Sequence, residues 1–215
     1  MMLKLPLTQH YGTTEMGTRH LICVKIDGEY KVAQYGQWDG YLSGQGAKVL
    51  RFLKDRRGNY NNFKKKVRLC SFMSDADIEA FNDKIDDNGY MTYETVNGEM
   101  VRDLWTIAYP ELSRDAGSKI LSYILHSQGL FLNNSINFSW EIGCEYGYVI
   151  DFDDNTFSVY TCGNKFVDGT RFDSFKDETS KYNRSKPISL VKEWSLDELP
   201  SKREFLSLES VLYNS

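Results

Sequence analysis

Asp27-Gly28, set between two largely apolar stretches of seven residues, constrains this chain more than any other feature. An Asp-Gly pair supplies the two positive φ angles that a type I′ turn demands. Residues 20–26 and 29–35 therefore read as the two strands of an antiparallel hairpin. The returning strand runs into Gly36-Gln37-Trp38-Asp39-Gly40-Tyr41. Hairpin geometry brings the end of the second strand back to the start of the first. Gln37, Trp38, Asp39 and Tyr41 are thus expected beside Thr18, Arg19 and His20, lining one concave pocket.

The hairpin is followed by glycines at 36, 40, 44 and 46. A glycine loop that leads into a helix can hold an anion on its backbone amides, or can simply permit a tight turn. It is not a P-loop, because no Gly-Lys-Ser/Thr closes it. Val49, Leu50 and Leu53 mark one face of a helix, and Gly58-Asn59 ends it. Residues 62–69 read as another short helix. Ser74 with Asp75 and Asp77 behind it is an N-cap signal, which opens a helix over 75–85. Residues 115–127 carry the clearest helical stripe, Ile120, Leu121, Ile124 and Leu125, stopped by Gly129. Residues 136–142, 147–152 and 156–161 read as strands, the last two joined at Asp153-Asp154-Asn155. Residues 202–213 read as an amphipathic helix. Strands toward both ends with helices between them predict an α+β fold of antiparallel sheets with flanking helices. Residues 1–15 read as a leader, with Met16 a second start, and 16–215 as a single domain of ordinary size.

Composition excludes several function classes. No apolar run approaches the roughly 20 residues that span a bilayer, and no signal peptide is legible. A cytoplasmic location and no membrane partner follow. Cys23, Cys70, Cys144 and Cys162 lie far apart, and with His10, His20 and His126 they give no zinc spacing. No metal and no cofactor is expected, and the oligomeric state is not legible. Net charge is −4. Residues 48–68 carry nine basic side chains against Asp55 alone, whereas nine acids fall within 75–103. The basic stretch is a patch for phosphate or an acidic partner, or a solvated helix face; nucleic-acid binding is not expected. Trp140, Tyr146, Tyr148 and Tyr160 could stack bases, but aromatics at period two in strands usually form core pairs.

The opening hairpin resembles that of the N-terminal-nucleophile (Ntn) hydrolases. There a Cys, Ser or Thr begins the first strand, and its own α-amino group serves as the base. In the choloylglycine-hydrolase branch the order is nucleophile, strand, Asp-Gly turn, return strand and Asp. Thr18, Asp27-Gly28 and Asp39 fall in that order. Gly17-Thr18 also resembles the Gly-Thr junction cut in proteasome β-subunit precursors. The resemblance implies an Ntn-like fold, with Thr18 as nucleophile and Asp39 as the carboxylate orienting its amine. The chain departs from it in having Gly36-Gln37 where that branch has an Arg before the Asp. Thr18 is also internal, with its nitrogen in a peptide bond. A closer resemblance is to phage, bacterial and fungal proteins that begin Met-Gly-Thr-Arg. These continue with a Gly-Glu/Arg-Tyr hairpin, a Gln-Trp/Tyr-Asp-x-Tyr loop and a Tyr-x-Ile-Asp-x-Asp segment. Here those motifs are Met16 to Arg19, Gly28 to Tyr30, Gln37 to Tyr41 and Tyr148 to Asp153. That likeness implies no particular chemistry.

Two function classes follow. One is a non-catalytic Ntn-like protein, such as a phage counter-defence product, that binds a host protein or a small signalling ligand through Arg19, Gln37, Trp38 and Tyr41. The other is an Ntn-type amide hydrolase that uses Thr18 after processing, with Asp39 and His20 as partners. His20 shares a strand face with Thr18, which makes it either an acid–base group or a buried strand histidine.

Overall fold

The computed structural model describes residues 17–87, 95–96, 99–100, 104–162 and 170–213. The expected leader at 1–15, the second start at Met16 and two acids of the 75–103 stretch, Glu94 and Asp103, lie outside them.

The hairpin forms as the turn chemistry dictates. Strands β1 (His20–Ile26) and β2 (Glu29–Gly36) pair antiparallel, and Asp27 and Gly28 both take positive φ, 56° and 81°. A wide turn at Leu42–Gly46, interrupted at Gly44 (ψ −107°), leads into α1 (Ala47–Lys54) and then α2 (Asn61–Arg68). Next come β3 (Ser71–Phe72), α3 (Asp75–Asp87), β4 (Thr95–Val96), β5 (Glu99–Met100) and α4 (Leu104–Ala108). Helix α5 (Lys119–His126) precedes β6 (Phe131–Leu132), and β7 (Tyr146–Asp151) with β8 (Thr156–Thr161) makes a second antiparallel hairpin. Strand β9 (Ser189–Ser195), which carries no clear sequence signal, and α6 (Lys202–Tyr213) complete the chain.

The central sheet has five strands in the order β2-β1-β7-β8-β9. The fold is α+β, but the sheet is mixed and not antiparallel throughout. β1 and β7 run parallel, with His20 opposite Tyr146 and Lys25 opposite Asp151. The expected strand at 136–142 is instead a 3-10 turn, Ile136–Trp140. Its apolar residues, Ile136, Phe138 and Trp140, are buried against the sheet by that tighter path. The stripe at 115–127 becomes helical only from Lys119, because Gly117 has φ +48°.

Both faces of the sheet are covered. Ile22, Val24 and Ile26 of β1 point to a core built with α1, α2, α5 and α6, through Leu50, Leu53, Phe63, Ile120, Ile124 and Phe205. Leu21 and Cys23 point the other way, to Ile136, Phe138, Phe172 and Ile188. That explains why β1 reads as a near-continuous apolar run and not as a clean alternation. At the turn end of the sheet, the fully buried Asp151 carboxylate is ion-paired with Lys25 (3.2 Å) and Arg171. Burial pushes its pKa up, but bonds from Arg171, the Asp154 amide, Lys25 and the Asp153 amide outweigh that and hold it below the ordinary carboxylate value.

Candidate functional site

The 37–46 loop is held by three sets of bonds. Gly40 N–H donates to the Thr18 carbonyl at 2.8 Å, and the buried Tyr148 hydroxyl donates to the Gly40 carbonyl at 2.7 Å. The loop therefore returns to the start of β1, as the hairpin geometry requires. Toward the 113–118 segment, Gln37 N–H donates to the Arg114 carbonyl at 3.1 Å. The Trp38 indole N–H donates to Asp115 Oδ1 at 2.9 Å, and Ser118 N–H donates to the Gln45 side chain at 2.9 Å.

Between this loop, α1 and the start of α5 lies a cleft of about 510 Å³. That is within the roughly 300–1,000 Å³ of small-molecule sites. Trp38, Asp39 and Gln45 form its floor. Lys48, Arg51, Phe52, Asp55 and Arg56 come from α1 and the turn after it; Ser118, Lys119 and Ser122 come from the facing wall, and Asp115, bonded to the Trp38 indole, joins the floor. The carboxylates of the floor are engaged: Asp39 accepts from the Tyr41 hydroxyl at 3.1 Å, and Asp115 accepts from Trp38. Arg56 lies over the Phe52 ring, 3.9 Å from its centroid. Among the described residues, Lys48, Arg51 and Lys119 form no ion pair.

Of the candidate site residues Thr18, Arg19, His20, Gln37, Trp38, Asp39 and Tyr41, Trp38 and Asp39 line the cleft and the others do not, whereas Lys48, Arg51 and Arg56 of the basic stretch do. Thr18 is half-buried and meets the loop through its carbonyl; among the described residues no base bonds to its hydroxyl. Arg19 is turned away, its guanidinium packed on Gly143 and its amide donating to Glu145 at 3.1 Å. Gln37 accepts from the Tyr35 hydroxyl. Tyr41 serves Asp39. His20 is fully buried, and among the described residues neither ring nitrogen makes a hydrogen bond of good geometry, the Thr18 backbone being a weak acceptor. Burial pulls its pKa down to about 4, outweighing the Thr18 backbone, which raises it; Lys48 lowers it further and Asp39 opposes. His20 is therefore a neutral core residue at pH 7, and the Thr18–Asp39–His20 constellation is not assembled as an acid–base relay.

The anion-binding reading of the glycine loop is also corrected. Its amides are taken: Gly44 and Gly46 N–H donate to the Tyr41 carbonyl, and Gln45 N–H to the Asp39 carbonyl. Ser43 N–H donates to the carboxylate of Glu209 on α6 at 2.8 Å. The basic stretch divides rather than forming one patch. Lys54, Arg57 and Lys66 bond to the carbonyls of Pro200, Asp197 and Ser127, and Arg68 pairs with Asp27 at 2.7 Å. Lys48 and Arg51 face the cleft. Trp140 and Tyr148 are core residues whose polar tips bond to the Phe172 and Gly40 carbonyls. Lys119 and Asp115 of the site were missed because no local spacing ties α5 to α1. The charge of Lys48 and Arg51 was the one signal available.

Among the described residues, no group of three or more His, Cys, Asp or Glu could hold a metal ion, and no helix is long and apolar enough to cross a membrane. The chain matches no protein-family model, no curated protein and no solved structure.

Proposed function

We propose that this chain is a non-catalytic binding protein on an Ntn-like α+β domain, and that its cleft takes up a small anionic ligand. The carrying observation is the charge arrangement of the cleft. Among the described residues Lys48, Arg51 and Lys119 of its lining form no ion pair, while Asp39 and Asp115 accept hydrogen bonds from Tyr41 and Trp38. Four cations, Lys48, Arg51, Arg56 and Lys119, outnumber the carboxylates Asp39, Asp55 and Asp115 in the lining, and a concave site of net positive charge raises the local concentration of anions. The Ntn-like assignment rests on the opening hairpin and on the return of the Asp39–Gly40 loop beside Thr18.

The amide-hydrolase alternative needs a base at Thr18. Its nitrogen is in a peptide bond, its hydroxyl has no base partner among the described residues, and His20 is sealed away. Loss of the base alone costs on the order of 10²–10⁴ in rate. Full-length protein should be inert on a panel of amides, with Thr18→Ala and a chain beginning at Thr18 as comparators. Turnover by the uncut chain would restore the enzyme reading.

The binding reading is tested by calorimetry and thermal unfolding with inorganic pyrophosphate. Saturable, salt-sensitive binding is expected, with about 2.7 kcal/mol of stabilisation at a hundredfold excess over Kd. Lys48→Gln with Lys119→Gln should weaken it. Absence of binding by phosphate, pyrophosphate and citrate at millimolar concentration and low salt would sink the proposal.

A further inference from the structure

We infer that the ligand of this cleft is a nucleotide, with its base laid on the Trp38 indole and its phosphates held between α1 and α5. The inference rests on the anionic-ligand reading and adds the chemistry of the ligand's other end.

The cations of the cleft stand on two walls, with Asp55 as the acid among them. Lys48 and Arg51, three residues apart, stand on one face of α1. Lys119 and Ser122, also three apart, stand on one face of α5. These four present cations and a hydroxyl donor from two walls, which suits phosphate oxygens. The floor is different. It carries Trp38, Asp39 and Asp115, and its two carboxylates repel a second anionic end. A compact inorganic polyanion leaves the floor unmatched. A ligand that is charged at one end and planar and neutral at the other matches both.

Trp38 is built as a platform. It is 40% exposed, and it lines the cleft. Yet its position is fixed. Its N–H is held by Asp115, and its benzo ring lies so close to Gly17 that a Cβ there would fall 2.3 Å from it. A fixed, open indole loses little entropy when a ring stacks on it. Asp39 follows Trp38 directly and has a carboxylate that can accept from ribose hydroxyls or an exocyclic amine.

The test is calorimetry on the full chain with ADP, GDP, CDP and UDP, their nucleosides, ribose 5-phosphate and pyrophosphate. At least one nucleoside diphosphate should bind about tenfold or more tightly than pyrophosphate and ribose 5-phosphate, the margin that base stacking supplies. Trp38→Leu should abolish the margin, bringing that nucleotide to the level of pyrophosphate measured on the same variant. Trp38→Phe, which keeps a ring, should retain most of the margin. It also decides the matter if Trp38→Leu fails to fold by circular dichroism. Lys119→Gln should weaken nucleotide and pyrophosphate by the same factor. Pyrophosphate binding as tightly as every nucleotide would overturn the inference and leave the anionic-ligand reading standing. So would a folded Trp38→Leu that keeps the margin. Binding of none of the probes would remove both.

Discussion

His20 and Gly36 occupy one shared volume: they are cross-strand partners in the opening hairpin, and a Cβ on Gly36 would lie 2.1 Å from Cε1 of the His20 ring. The imidazole lies over the glycine backbone, which is why β2 can end there beneath a ring. Gly36→Ala should therefore destabilise the protein by about 1–3 kcal/mol, the usual cost of overpacking. In the double variant His20→Ala/Gly36→Ala the two effects should be far from additive, since the second change removes the obstacle. Urea unfolding of the four proteins measures this. A full, additive loss would show that the clash is relieved some other way.

His20 also makes stability depend on pH. Its pKa is 6.5 in the unfolded chain and about 4 when folded. Between those values the unfolded state binds more protons, so stability is complete above pH 6.5 and falls as pH drops toward 4. The total is about 3 kcal/mol, from 1.36 kcal/mol per pKa unit. His20→Leu should abolish that limb. It should cost little at pH 7, because two ring nitrogens without a good hydrogen bond are removed from the core. Denaturation midpoints from pH 4 to 8 would decide; an unchanged slope in the variant would refute it.

Arg171 should be far less replaceable than its partial exposure suggests. It pairs with the fully buried Asp151 and donates to the Tyr160 hydroxyl at 2.9 Å. Arg171→Leu leaves the carboxylate with Lys25 as its cation and only the Asp153 and Asp154 amides beside it. A loss of about 3–5 kcal/mol is expected at pH 7. Asp151 has a depressed folded pKa, so its contribution is present above the ordinary carboxylate value and is lost as pH falls. The gap between variant and wild type should narrow in acid, which titration of the unfolding midpoint would record.

Asp153 ties the two hairpin turns together, accepting from the Asp27 N–H at 2.7 Å and the Gly28 N–H at 2.9 Å. Asp153→Ala should cost about 1–3 kcal/mol, since charged acceptors of amides are the stronger kind. Amide exchange at Asp27 and Gly28 should accelerate. Protection left intact at both amides would contradict the assignment.

How much of this was legible follows from range. The Asp27-Gly28 turn, the second hairpin and the helical stripe of Ile120, Leu121 and Ile124 are written in neighbouring residues, and their elements formed. Ile136, Phe138 and Trp140 misled because alternation of apolar residues does not distinguish a strand from a tight turn buried under a sheet. The parallel pairing of β1 with β7 has no local signature at all. At the site, Trp38 and Asp39 were legible from the hairpin. Thr18 and His20 lie beside the loop as the hairpin requires; of the two alternatives for His20 the buried strand histidine is the one found, and among the described residues no base bonds to the Thr18 hydroxyl. Lys119 enters the cleft only through the packing of loop against helix.

The mixed sheet has a consequence for how the chain is made. Lys25 and its parallel partner Asp151 are 126 residues apart. At roughly 5–20 residues per second, a ribosome needs about 6–25 s to deliver β7 after β1. Throughout that interval the first hairpin waits with an apolar strand edge unsealed, the kind of surface that invites aggregation. The same strand that organises the finished domain is thus the one most in need of a chaperone at its birth.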